Sequence, residues 1–336
     1  MSENNRIFRS TAEKADRRVC VAPMMAWTDR HCRRLHRLYS PDAVLFTEMV
    51  TTGALVEGNQ WHQLDYTTPE SPVAVQLGGS NPHHLARCAQ VAAERGYVEV
   101  NLNVGCPSDR VQRGTFGACL MREPQLVADC VKAMKDACDI PVTVKCRLGV
   151  DGHNSDELLQ AFVDQQVQAG CDTLYLHMRI AILQGLSPAQ NRSIPPLQPE
   201  RAHGVRKAFP DLHLVVNGEI STVQQATTYL DWADGVMVGR AAYNRPELLG
   251  ELQQAVFAST NSVSTQEVLT EYRTYMESEL SKGTPLHAMT KHLLHCVHAV
   301  PGARRFRQLL SDQKLLKTNN LQVFDQALEQ VWPRAA

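Results

Sequence analysis

Apolar and polar positions along the chain fall into two alternating textures. Short runs rich in Val, Leu and Tyr recur eight times: Val19–Met24, Ala43–Met49, Pro72–Gly79, Tyr97–Val104, Pro141–Gly149, Thr173–Arg179, His213–Ile220 and Gly235–Ala241. Gly, Pro and Asn clusters punctuate them, as strands require. Between them lie amphipathic windows. Residues 81–96 put Leu85, Cys88, Ala89, Val91 and Ala92 at helical spacing. Residues 155–170 open on a Ser–Asp cap signal and end in Gly170, and 222–233 fill the last gap. Eight strand–helix units in about 240 residues predict a (β/α)8 TIM barrel, for which ~250 residues is typical. A doubly wound open sheet is the alternative. It usually has fewer strands and often a GxGxxG after the first, which this chain lacks.

The texture changes after Arg245. Residues 248–257, 265–280, 286–300, 304–310 and 321–331 read as helices, punctuated by Pro246, Pro285 and Pro301-Gly302. The expected organisation is a catalytic barrel over 1–247 followed by a C-terminal all-α helical domain over 248–336. No period of 20 to 50 residues repeats, which excludes a solenoid.

Composition narrows the class. Of 336 residues, 43% are hydrophobic and 21% charged, an ordinary globular balance that excludes general disorder. No window approaches the ~18 apolar residues of a membrane helix. The polar start, MSENNRIFRSTAEKADRR, has no apolar core of a secretory signal. Ten cysteines without a CxxC pair read as reduced thiols, with no zinc or redox dithiol and no metal expected. The expected location is the cytoplasm. The net charge of −1 gives no global attraction to nucleic acid, but residues 290–320 carry six Lys and Arg against Asp312 alone, a local +5. Such a cluster is a candidate phosphate-tracking patch or a solvated helix face.

Barrel active sites lie at the C-terminal strand ends. Read there, the chain gives Pro23-Met24-Met25, Gln76, Asn101 and Asn103 followed by Cys106, Lys145 and Arg147, His177 and Arg179, Asn217-Gly218-Glu219, and Gly239-Arg240. Nearly every strand end is polar or glycine, which a purely structural core does not need. Glycines and an arginine after strands 7 and 8 suit a phosphate. Gln76, Asn101, Lys145 and His177 suit the edges of a planar heterocycle, and flavin mononucleotide meets the set. Cys106, between Gly105 and Pro107 just past a strand, is a candidate proton donor. The remaining cysteines fit the commoner role of small buried hydrophobes.

The runs VAPMMAWTDRHCR, TEMVTTGAL, VAVQLGGS, EVNLNVGCPSDRVQRGTFGACLM, VTVKCRLG, GLSPAQNRSIPPL and GVMVGRAAY together resemble the tRNA-dihydrouridine synthases. Within them the chain is most similar to the branch acting on uridines 20 and 20a of the D-loop. The resemblance runs from about Arg18 to Gln330, and the NxNxGCP and GLSPxxNRxIPPL segments are its specific parts. It implies a monomeric FMN-dependent enzyme whose helical domain binds tRNA. Reduced flavin delivers a hydride to C6 of uracil, a cysteine matched here by Cys106 protonates C5, and NADPH (or NADH) regenerates the flavin. It implies FMN contacts at Pro23, Met24, Met25, Gln76, Lys145, His177, Asn217, Gly218, Glu219, Gly239 and Arg240. It implies tRNA contacts at Asn103 and Arg179, joined by Arg304 and Arg307, which are three apart and so share a helix face. Met178, Ile180 and Glu219 depart from the family pattern, where Ala, Lys and Gly are usual. Two other classes fit part of the pattern: an FMN-dependent dehydrogenase of a free pyrimidine, and a non-catalytic RNA-binding barrel.

Overall fold

A computed structural model describes residues 15–108, 114–260 and 262–333. The start of the chain, read above as free of a leader, lies outside them up to residue 14. So do residues 109–113, which lie just after the NxNxGCP motif.

Eight strands are present where the apolar runs predict them: β1 (Val19–Val21), β2 (Val44–Thr51), β3 (Val73–Gly78), β4 (Glu99–Val104), β5 (Val142–Arg147), β6 (Thr173–His177), β7 (His213–Asn217) and β8 (Gly235–Val238). They pair in sequence order, all parallel, and β1 closes on β8 through Cys20 and Met237. This is the (β/α)8 barrel. Helices α1 (Arg30–Tyr39), α2 (Pro82–Glu94), α3 (Pro124–Ala137), α4 (Asp156–Gln168), α5 (Pro199–Ala208) and α6 (Val223–Leu230) follow strands around it. Local chemistry starts them: the Asp29, Asn81 and Ser155 side chains accept from the first free amides of α1, α2 and α4.

β4 illustrates how the barrel sorts its residues. Val100, Leu102 and Val104 join the apolar layer beneath the helices. The alternating Glu99, Asn101 and Asn103 occupy the opposite face, the barrel interior, where Asn101 sits beside Thr143 and Asn103 beside Lys145 in register. All three are buried. An apolar part of the interior lies beside them: Cys20, Phe46, Val215 and Met237 pack with Tyr175, whose ring meets Phe46 edge-on at 5.2 Å between centroids.

Beyond β8 come α7 (Arg240–Asn244) and α8 (Glu247–Phe257). α8 packs against α1 and α6, and Gln253 at its inner face accepts from Ser40 and donates to Asp42. The boundary expected at 248 therefore falls inside a helix that packs on the barrel. The further helices are α9 (Thr265–Ser281), α10 (Leu286–Thr290), α11 (Ala303–Ser311), α12 (Gln313–Leu316) and α13 (Gln322–Glu329). The helix expected over 286–300 stops at Thr290. The next residues are drawn toward the barrel: Lys291 Nζ lies 2.7 Å from Asp29 Oδ2, and His292 Nε2 lies 2.9 Å from Oδ1. A tertiary anchor here overrides helix propensity. Arg30–Glu279 and Arg34–Glu271 ion pairs, with Tyr272 donating to the His31 carbonyl, fasten α9 to α1.

Candidate active site at the barrel mouth

Parallel closure gathers the C-terminal ends of all eight strands on one rim, and the residues read there from sequence come together. At the end of β4 the chain turns sharply. Asn103 Oδ1 accepts from the Gly105 amide at 3.1 Å and the Cys106 amide at 2.9 Å. The Cys106 carbonyl accepts from Ala118, and Arg147 Nε donates to the Gly105 carbonyl. Four hydrogen bonds thus fix the backbone around a partly exposed thiol, whose Sγ lies 3.5 Å from Ser108 Oγ. Cys106 contrasts with Cys20, Cys88, Cys130, Cys146, Cys171 and Cys296. Those are buried, and burial pushes their thiols far up, out of any acid–base use near neutrality.

β5 and β6 supply two polar groups without partners. Lys145 forms no hydrogen bond or ion pair among the described residues. Burial, and the Arg147 charge beside it, bring its ammonium down to about 8. His177 Nδ1 is buried and has no hydrogen-bond partner. Burial first, then the charges of Arg147, Lys145 and Arg179, hold the His177 imidazole well below its usual range, so it is neutral. A buried polar atom left unpaired, as His177 Nδ1 is, is costly and calls for a ligand, and the partly buried Lys145 stands on the neighbouring strand. On either side, Gln76 is buried on β3, and Asn217 at the end of β7 donates to the Met237 carbonyl. Pro23 and Met24 are half-buried beyond β1, and Met25 is exposed.

Past β7 and β8 the rim is cationic. Arg240 donates to the Arg192 carbonyl at 3.1 Å, and neither guanidinium has a carboxylate partner among the described residues. Burial and the Arg240 charge lower the Arg192 pKa. Two unneutralised guanidiniums beside one another favour an anion between them. Gly239 leaves open space there, its nearest neighbour on the side-chain side being Ala22 at 3.9 Å. Gly218 has φ +138° and a missing Cβ that would meet Leu197 at 2.7 Å, so the position requires glycine. The donor set fits a flavin phosphate and ring.

Two expectations meet different surroundings. Arg179 is buried and pairs with Glu219 at 2.5 Å, with a further hydrogen bond to the Pro195 carbonyl, so the tRNA contact expected for it has no free cation to use. Glu219 turns its side chain to that partner from a backbone at φ +51°. In the +5 cluster, Lys291 is paired with Asp29 and the half-buried Arg307 donates to the Val297 carbonyl. Exposed cations remain at Arg304, Arg305, Lys314 and Lys317. Three neighbours have roles that the sequence does not assign: Arg147, Asn191 and Arg192. Arg147 holds both the Cys106 turn and the Asn191 carbonyl, and the buried Asn191 in turn ties down residues 182–192, which end at Arg192. Their signal was present in the strand-5 end and in GLSPAQNR.

The Dihydrouridine synthase (Dus) family model matches residues 20–332 of this chain. The chain is similar to the tRNA-dihydrouridine(20/20a) synthase of Pseudomonas putida, 51% identical with 95% of this chain and 96% of the relative covered. The proteins of the same name from Pseudomonas aeruginosa (52%, covering 93% and 95%) and Vibrio vulnificus (49%, covering 94% and 97%) are similar to it as well. Among solved structures, a 2-naphthoyl-CoA reductase complex superposes with a TM-score of 0.54 at 10% identity, over 72% of this chain and 50% of that one. That likeness concerns the fold alone.

Proposed function

Because the chain belongs to the dihydrouridine synthase family, we propose that it reduces uridines 20 and 20a of the tRNA D-loop to 5,6-dihydrouridine, as a cytoplasmic monomer with bound FMN. The observation that carries this reading is the pinned Cys106 thiol on the same rim as the unpartnered Lys145 and His177. A proton donor and a polar cradle for a heterocycle are thereby joined at one barrel mouth.

When bound, the flavin, reduced by NADPH, supplies the hydride that adds to C6 of the uracil ring. Cys106 Sγ holds the proton that C5 receives, and is left as thiolate to be reprotonated from solvent. The four hydrogen bonds around Cys106 keep the backbone that carries the thiol in one place, so less orientational freedom is lost at the moment of transfer. Lys145 and the neutral His177 would meet the ring's electron-rich edge, relieving the unpaired state of both. Arg192, Arg240 and the Gly239 backbone would hold the phosphate. The target uridine leaves the folded tRNA to reach this mouth. The exposed Arg304, Arg305, Lys314 and Lys317 would meet the phosphates of the remaining RNA.

The deciding experiment maps dihydrouridine by mass spectrometry in tRNA from cells with and without this protein, and repeats the reduction with purified protein, NADPH and unmodified tRNA. Loss of the modification at positions 20 and 20a in the deletion, restored in vitro, is the expected result. Reduction of free uracil without any dependence on tRNA would instead identify a pyrimidine dehydrogenase.

A further inference from the structure

The interior of the barrel holds a continuous file of buried polar groups reaching from the Cys106 turn to the barrel floor. The Gly105 and Cys106 amides donate to Asn103 Oδ1. Asn103 Nδ2 donates to Gln76 Oε1 at 2.8 Å, and Gln76 Nε2 to Asn101 Oδ1 at 2.8 Å. Asn101 Nδ2 donates to Thr143 Oγ1 at 2.9 Å, and Thr143 Oγ1 to Glu99 Oε1 at 2.6 Å. Glu99 Oε2 accepts from Arg17 Nε at 2.6 Å and from Tyr175 at 3.2 Å. Every side chain from Asn103 to Glu99 is buried.

The direction of this file is dictated by its ends. A backbone N–H only donates, and an ionised carboxylate only accepts. Between them stand three amides and one hydroxyl, each able to face either way. Reversing any one amide would set two N–H groups against each other on one side and two oxygens on the other. Among these buried side chains each such mismatch carries the cost of an unpaired buried group. One arrangement satisfies all members. In it Asn103 must direct its oxygen at the Cys106 turn, and its remaining free group at the mouth is an N–H.

We propose that Glu99 and Thr143 are positioning residues for the reaction. The carboxylate at the barrel floor, through Thr143, Asn101 and Gln76, fixes the amide of Asn103 so that its oxygen holds the Cys106 turn and its free N–H faces the substrate. Neither residue touches substrate or cofactor. The inference rests on the proposed function only for what Cys106 protonates; the ordering of the turn stands apart from it.

Substitution of Glu99 would leave Arg17 buried and unpaired, so the test is made at Thr143. Thr143→Val keeps shape and removes the link, and Thr143→Ser restores it. Two readouts are taken on the flavin-loaded protein. One is the rate of iodoacetamide labelling of Cys106, followed by peptide mass spectrometry without tRNA. The other is steady-state reduction of tRNA uridine, resolved into kcat and KM, beside the rate of flavin reduction by NADPH. In Thr143→Val we expect kcat to fall and Cys106 labelling to change, each roughly tenfold, the population factor of about one net hydrogen bond. KM for tRNA and flavin reduction should stay within about twofold, and Thr143→Ser should behave as wild type. Wild-type labelling and kcat in Thr143→Val would overturn the proposal. So would an equal loss in labelling, KM, flavin reduction and flavin content, which would mean general damage to the barrel. If no form of the protein reduces tRNA but labelling still separates Val from Ser, the proposed function fails and the relay stands.

Discussion

Arg179 and Glu219 form a 2.5 Å ion pair across the ends of β6 and β7, joining a buried guanidinium to a carboxylate that is about half exposed. Glu219 takes part from a left-handed backbone, φ +51°, where a side chain costs roughly 1–2 kcal/mol. The pair therefore sets a favourable charge contact against local strain, beside Gly218 and the His177 ring.

That opposition gives a signed prediction. Glu219→Ala loses the partner of a buried cation and keeps the strain. We expect destabilisation of about 1–2 kcal/mol, discounted from a fully buried pair because Glu219 meets solvent. Glu219→Gly loses the same partner but relieves the strain, and should unfold at about 1 kcal/mol higher stability than the Ala variant. Urea titrations of both decide the point; equal stabilities would mean the φ value carries no strain.

For Cys106→Ala we expect flavin content and tRNA affinity near wild type, with turnover reduced ~10²–10⁴-fold, the usual worth of a positioned general acid. Single-turnover reduction of tRNA by pre-reduced protein is the measurement. Unchanged uridine reduction would remove Cys106 from the mechanism.

Lys145 makes stability depend on pH. Its folded-state value of about 8 lies below its ordinary 10.5, so between those limits the unfolded chain binds more protons than the folded one. Stability contributed by this site thus rises with pH across pH 8 to 10.5, and the full penalty of the buried charge is present below pH 8. The flavin-free Lys145→Met variant should melt above wild type at pH 7, by roughly 1–2 °C for each kcal/mol relieved. The gap should close toward pH 10.5. A gap constant over the whole range would show that the lysine is solvated.

Arg240→Ala should weaken flavin retention about 10- to 100-fold, as expected for losing a charged hydrogen-bonding partner of a phosphate. The flavin-to-protein ratio after dialysis tests this. An unaltered ratio would put the phosphate elsewhere than beside Arg192.

Arg304 and Arg305 are the exposed arginines of α11, whereas the half-buried Arg307 spends one N–H on the Val297 carbonyl. Alanine at 304 and 305 together should weaken tRNA binding and flatten its salt dependence by about 0.9 for each duplex phosphate no longer neutralised. Arg307→Ala should chiefly lower thermal stability. Parallel salt titrations for wild type and the double variant would mean the RNA docks on another face.

The barrel itself was legible in the chain because its information is local. Eight apolar runs, each bounded by turn residues, suffice to specify strands, and a parallel order with helices between leaves little topological choice. The rim was legible too: any residue at a strand's C-terminal end reaches the same mouth, so Gln76, Cys106, Lys145, His177, Asn217 and Arg240 could be gathered without knowing a distance. What each side chain does there depends on partners distant in sequence, which no local pattern encodes. Arg179 reads as a free cation until the fold supplies Glu219, and Arg307 as a solvated one until the fold half-buries it against the Val297 carbonyl. The helix expected through residue 300 ends at Thr290, where Lys291 and His292 meet Asp29, more than 260 positions earlier. The buried file from Cys106 to Glu99 draws on β3, β4 and β5, and its direction follows from the two ends together. The sequence determined which groups face the barrel axis. Only closure of the barrel brought them within hydrogen-bonding distance, in a buried interior where a single arrangement satisfies them all.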